Sequence, residues 1–66
     1  MQIVINGEAP DILSECTVFQ FLENKAVTLK AAVVELNGKI LTREHWQSTF
    51  LHADDRLEIL IFMGGG

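Results

Sequence analysis

Residues 56–66 read Arg56-Leu57-Glu58-Ile59-Leu60-Ile61-Phe62-Met63-Gly64-Gly65-Gly66, and this stretch decides how the remainder is read. Residues 56–63 have the pattern of a strand. Leu57, Ile59, Ile61 and Met63 share one face by the two-residue period, and Glu58, Leu60 and Phe62 share the other. Leu60 and Phe62 make the second face apolar too, which suits a central strand better than an edge. Three glycines follow. They carry high backbone entropy and nothing to pack, so they are a poor ending for a strand. Extended, they reach at most ~10 Å. The expected result is a thread without side chains, tipped by a carboxylate, able to enter a narrow channel in a partner. The plain alternative is a frayed or artificially appended terminus.

Working back from that strand, Asp54-Asp55 marks a tight turn. Residues 32–36 read as a strand, Asn37-Gly38 as a hairpin turn, and residues 39–41 as the short return. Residues 42–46 are polar and suit one turn of helix across the surface. Thr17 and Gln20 have capping-box spacing, in which each side chain satisfies an orphan backbone donor. Val18, Phe21 and Leu22 then form the buried stripe of a helix that fades near residues 24–26, with Phe19 at its border. Gln2-Ile3-Val4-Ile5 is a strand closed by Asn6-Gly7, and residues 8–13 form its partner, with Pro10 marking an edge or a bulge. The order is ββ-α-ββ-turn-β. It predicts one α+β domain with a helix laid across a mixed sheet.

Composition excludes several function classes. At 66 residues, with 48% apolar content, the chain is one small folded domain, too short to hold separate nucleotide-binding and catalytic units. Nine acids against five bases give a net charge of −4. That is the wrong sign for neutralising nucleic-acid phosphates or anchoring to an anionic membrane. The single cysteine, Cys16, cannot form an internal disulfide, so a reducing cytoplasm is the expected setting. No export signal or membrane span is legible. No glycine lies in a phosphate-binding motif.

Other residues invite chemistry without supporting it. Cys16 precedes a helix cap, which can activate a thiol, but no base accompanies it and a small buried hydrophobe is the simpler role. Cys16, His45 and His52 fit no zinc spacing. Trp46 lacks the basic surround of a nucleic-acid stack and reads as a cover for the edge of the core. Asp54-Asp55 reads as a solvated turn rather than a cation site. Glu35 and Glu58 have no pocket around them in which to act as an acid/base pair. If the helix packs on Ile3, Ile5, Leu57, Ile59 and Ile61, then Val4, Leu60 and Phe62 face away. With Met63 beside the tail, they are the candidate partner-binding residues.

The element order, the run Leu57 to Phe62 leading into Gly64-Gly65-Gly66, the Asn37-Gly38 turn, the Arg43-Glu44-x-Trp46 segment and the Asp54-Asp55-x-Leu57-Glu58-Ile59 approach resemble the ubiquitin-like β-grasp proteins. Among these the sequence most resembles the ThiS family, the sulfur-carrier proteins of thiamine biosynthesis. The resemblance implies a ubiquitin-like β-grasp over residues 1–63, with a mixed sheet of about five strands and one helix. Residues 64–66 would be a flexible glycine tail. It further implies that Gly66 is adenylated by a ThiF-type, ATP-using enzyme and converted to a thiocarboxylate. The sulfur would come from a donor such as a cysteine desulfurase relay and pass to thiazole synthase. The chain would then be a protein co-substrate, not an enzyme, with no cofactor or metal of its own. Alternatives within the fold are a carrier for molybdopterin, tRNA thiolation or a sulfur amino acid, a ubiquitin-like modifier, and a plain interaction module.

Overall fold

The computed structural model describes residues 1–8, 11–12, 14–25 and 29–62, with the backbone alone at 11, 12 and 29. Met63, Gly64, Gly65 and Gly66 lie outside the described residues, as do Ala9, Pro10, Leu13 and residues 26–28. Five strands and one α-helix follow in the order expected. β1 is Gln2–Ile5, β2 Asp11–Ile12, α1 Val18–Asn24, β3 Ala32–Leu36, β4 Lys39–Leu41 and β5 Arg56–Ile61. Single 3-10 turns at Leu29–Ala31 and Arg43–His45 join them. The sheet order is β2-β1-β5-β3-β4. β5 is therefore central, parallel to β1 and antiparallel to β3. Among the described residues no helix is long and apolar enough to cross a membrane.

The helix begins where the sequence places it. Thr17 accepts from the Gln20 backbone N–H at 3.1 Å, and Gln20 Oε1 accepts from Thr17 N–H at 2.9 Å. The other early donors of α1 go to a neighbouring segment: Val18 N–H donates to Thr49 and Phe19 N–H to Trp46. Leu51 N–H donates back to Cys16. The helix start is thus satisfied partly by its own cap and partly by residues 46–49, which lie far away in sequence. Val18, Phe21 and Leu22 are buried with Ile3, Ala32, Val34, Leu51 and Leu57.

Trp46 is a correction. The sequence suggested a cover at the edge of the core, but the residue is only 2% exposed and is among the largest core side chains. The 3-10 turn carries it inward, and its indole N–H donates to the Leu41 carbonyl at 2.9 Å, which satisfies the one polar atom it buries. Arg43 lies over the Trp46 ring and donates to the Lys30 carbonyl at 3.0 Å. The Arg-Glu-x-Trp segment therefore has a structural role, pinning the crossing turn to the start of β3.

Both Asn-Gly turns have positive φ at both positions, 51° and 71° at Asn6 and Gly7, 53° and 84° at Asn37 and Gly38. This is the geometry of a type I′ hairpin turn. Beyond the first turn, β2 is shorter than residues 8–13. Its register sets Gln2 against Ile12 and Ile3 against Asp11, one residue out of step with a strict two-residue turn. The asparagine side chains do more than permit a turn. Asn6 Oδ1 accepts from Ile59 N–H at 2.8 Å, and Asn37 Oδ1 accepts from Arg56 N–H at 2.9 Å. Each turn is thereby tied to the central strand.

Asn6 offers a test of this tie. Asn6→Gly keeps the positive φ and loses only the hydrogen bond, a cost of about 1 kcal/mol. Asn6→Ala also meets the left-handed penalty of about 1–2 kcal/mol. Urea unfolding should therefore rank wild type above Gly and Gly above Ala. A Gly variant as stable as wild type would show that the bond to Ile59 contributes nothing.

Candidate functional site

β5 positions everything the sequence singled out near the tail. It is hydrogen-bonded to β3 along its whole length, with Leu36 opposite Leu57 and Ala32 opposite Ile61. The ladder continues one step past the strand, because Phe62 N–H donates to the Ala31 carbonyl at 2.9 Å. The backbone is thus held up to Phe62, and the run from Met63 to Gly66 starts immediately after a fixed point.

Burial separates the two faces of β5 as the two-residue period predicts. Leu57 is fully buried and Ile59 half-buried beneath α1, while Leu60 and Phe62 are exposed. Ile61 points to the helix side but is 40% exposed, beyond the main core. The outer-face residues are not one cluster with Val4. Val4 is half-buried and stands opposite Arg56. Four residues of β5 separate Arg56 from Leu60, about 13 Å along the strand. The neighbour of Leu60 is instead Val33, directly opposite on β3. Ile40, on β4 opposite Glu35, adds another exposed apolar side chain to this face. Both were legible in principle. With Val34 buried, the alternation turns Val33 outward, and the two-residue Asn37-Gly38 turn fixes the register that sets Ile40 against Glu35.

The remaining candidates form no reactive centre. Cys16 is half-buried against the core, and burial pushes its thiol above the ordinary value of 9.0. This is opposite to the activation that a helix start can confer. His45 and His52 are exposed. His45 Nδ1 is hydrogen-bonded to the Thr42 hydroxyl at 2.9 Å, and Asp55 Oδ2 accepts from His52 N–H at 2.7 Å. Asp55 also accepts from the Asn37 amide at 3.0 Å, so it is spent on fixing two turns. Among the described residues no three His, Cys, Asp or Glu side chains gather to hold a metal. A shallow, open groove lined by Val4, Gly7, Arg56, Leu57 and Glu58 lies on the outer face. It contains no nucleophile paired with a base.

This arrangement is a rigid small domain that presents one strand end and brings no catalytic set to it. A ThiS family model matches residues 3–66. The chain belongs to the ThiS family. This is the family of sulfur-carrier proteins in thiamine biosynthesis named above on the residues. Over the full length of both chains, this ThiS-family domain is 34% identical to the crystallised thiamine biosynthesis protein ThiS of Geobacter metallireducens, with a TM-score of 0.84. It is 33% identical over 66 residues to a thiazole synthase of Paramagnetospirillum magneticum. There it matches all of this chain but only 20% of the relative. It is 34% identical over 67 residues to the uncharacterized protein ycf40 of Porphyra purpurea, of which it spans 93%. The mixed sheet and single helix are those of the ubiquitin-like β-grasp.

The unreactive reading of Cys16 can be measured directly. Its thiol should alkylate with iodoacetamide more slowly at pH 8 in the native chain than in the same chain unfolded in urea. The raised native pKa lowers the thiolate fraction, and burial restricts access. A native rate above the unfolded rate would show an activated thiol.

Proposed function

We propose that this ThiS-family chain carries sulfur on the carboxyl group of Gly66 for construction of the thiazole ring of thiamine. The observation that supports this most directly is the family match extending through residue 66, on a fold that holds its central strand to within four residues of that glycine.

The chemistry follows from the weakness of a carboxylate as an acyl electrophile. At neutral pH the terminal carboxyl is ionised. It becomes reactive when one of its oxygens attacks the α-phosphorus of ATP, pyrophosphate leaves, and an acyl-adenylate forms. A sulfur nucleophile at the oxidation level of sulfide then adds to the acyl carbon, and AMP departs with the oxygen. The product is a thiocarboxylate. The chain has no phosphate loop, so a ThiF-type partner supplies the ATP site, and this chain is its co-substrate. A desulfurase-type relay is the fitting source of sulfur. Gly64 and Gly65 keep the thread narrow, because any Cβ would widen it.

Thiazole synthase is the acceptor this reading favours. A relative of that name matches the whole of this chain within a fifth of its own length. A carrier domain joined to its acceptor raises the effective concentration of one for the other, so the pairing is chemically reasonable. Leu60 and Phe62, exposed beside the start of the tail, are the docking residues in this reading, with Met63 leading into the channel. Val4 lies further down the same face.

Intact mass after incubation with ATP, an adenylating enzyme and a sulfide source tests the proposal. The expected gain is that of sulfur replacing one oxygen, abolished by deletion of Gly66. No gain, with an enzyme active on its own carrier, would favour an interaction module. Gly65→Ala should slow adenylation on the order of a hundredfold with unchanged unfolding by urea. Phe62→Asp should weaken partner binding and leave the fold intact.

A further inference from the structure

The outer face of the sheet carries a second feature beside its apolar end. Glu35 and Glu58 are directly opposed across β3 and β5. Like charges in that position destabilise a sheet. Neither carboxylate has an ion-pair partner among the described residues. Arg56 shares the face, two residues along β5, and is held by its backbone to Asn37 rather than by its guanidinium to an acid.

Around this acidic pair the face is apolar. Val33 and Leu60 form the next outward-facing pair, and Phe62 follows. Ile40 flanks Glu35 on the other side. Ile40 is 67% exposed, Leu60 46% and Phe62 63%. A second copy of the chain would set acid against acid here, and a nucleic acid would set phosphate against carboxylate. A surface that is apolar with a basic residue at a fixed offset fits both features.

We propose that this face receives a protein surface whose apolar protrusion sits on Val33, Leu60 and Phe62 while an arginine enters between Glu35 and Glu58. Arginine suits the site because its planar fork can serve two carboxylates at once. The inference rests on the carrier reading, in which the adenylating partner supplies that surface. An enzyme that gathers ATP and a terminal carboxylate has an electropositive approach, and this chain arrives with a charge of −4. The cross-strand repulsion is a stability cost of the free domain that the complex removes.

The experiment follows pyrophosphate release by a ThiF-type adenylating enzyme with ATP as the carrier concentration is varied. Wild type is compared with Glu35→Gln, Glu58→Gln and the double variant. The expected result is a KM for the carrier raised about tenfold by each single change, with kcat retained. The wild-type KM should climb with salt, and that of the double variant should stay nearly flat. Thermal midpoints of the variants should equal or exceed that of wild type, because a repulsion has been removed. An unchanged KM and salt slope, while wild type turns over, would overturn the docking proposal alone. So would a lowered midpoint in the single variants, which would assign the effect to folding. Self-association of the isolated chain, strengthened in the double variant on sedimentation, would give the face to a second copy. No pyrophosphate from wild type, with an enzyme competent on its own carrier, would overturn the carrier reading and this inference with it.

Discussion

The structure depends on the fixing of β5. This strand pairs with β1 on one side and β3 on the other, so it joins the two hairpins into one sheet. Main-chain ladders alone leave its register open to slippage where β1 ends after Ile5. There the ladder is completed by a side chain, since Asn6 Oδ1 takes the Ile59 N–H that β1 no longer reaches. Asn37 does the same for Arg56 at the other border, and its amide also holds Asp55. A strand clamped at both margins by turn residues has one register, and a one-residue slip would turn its whole buried set outward.

A domain of this size has little core to spend, burying only roughly 60% of its unfolded surface. The chain compensates by making its connections carry structure. The segment from Trp46 to Leu51 satisfies the first donors of α1, buries an indole and adds Leu51 to the core. The loop between β4 and β5 therefore works as a sixth packing element. Its polar surface hides that role in the sequence, because the residues that matter are Trp46, Leu51 and three backbone groups.

Function in such a domain is a matter of presentation. Its one thiol is suppressed by burial, its histidines are exposed and its acids in the turns are committed to backbone bonds. What it offers a partner is a stiff strand end and a face. The rigidity of β5 up to Phe62 means that a partner gripping the outer face also sets where the glycine thread begins. A flexible strand end would scatter that origin and lose the orientation on which a reaction at a remote carboxyl depends.

The order of elements, the capping box, both Asn-Gly turns, the inward faces of α1 and β5, and the central place of β5 were legible before any coordinates. Each rests on local spacing: a period of two, a stripe along one helix face, or a pair of residues three apart. The glycine thread and its meaning were legible for the same reason, being a property of composition at one place. The long-range facts were not. Asn6 meets Ile59 across 53 positions and Asn37 meets Arg56 across 19, and no spacing rule connects such pairs. Trp46 looked like an edge cover because its polar neighbours conceal a turn that carries it inward. Val4 shares a face with Leu60, as periodicity says. Only the parallel register of β1 on β5 shows it standing by Arg56 instead. The same kind of register, set between β3 and β5, brings Glu35 against Glu58. Periodicity assigns a side chain to a face, whereas neighbours on that face are fixed by strand pairing, which exists only once the chain has folded.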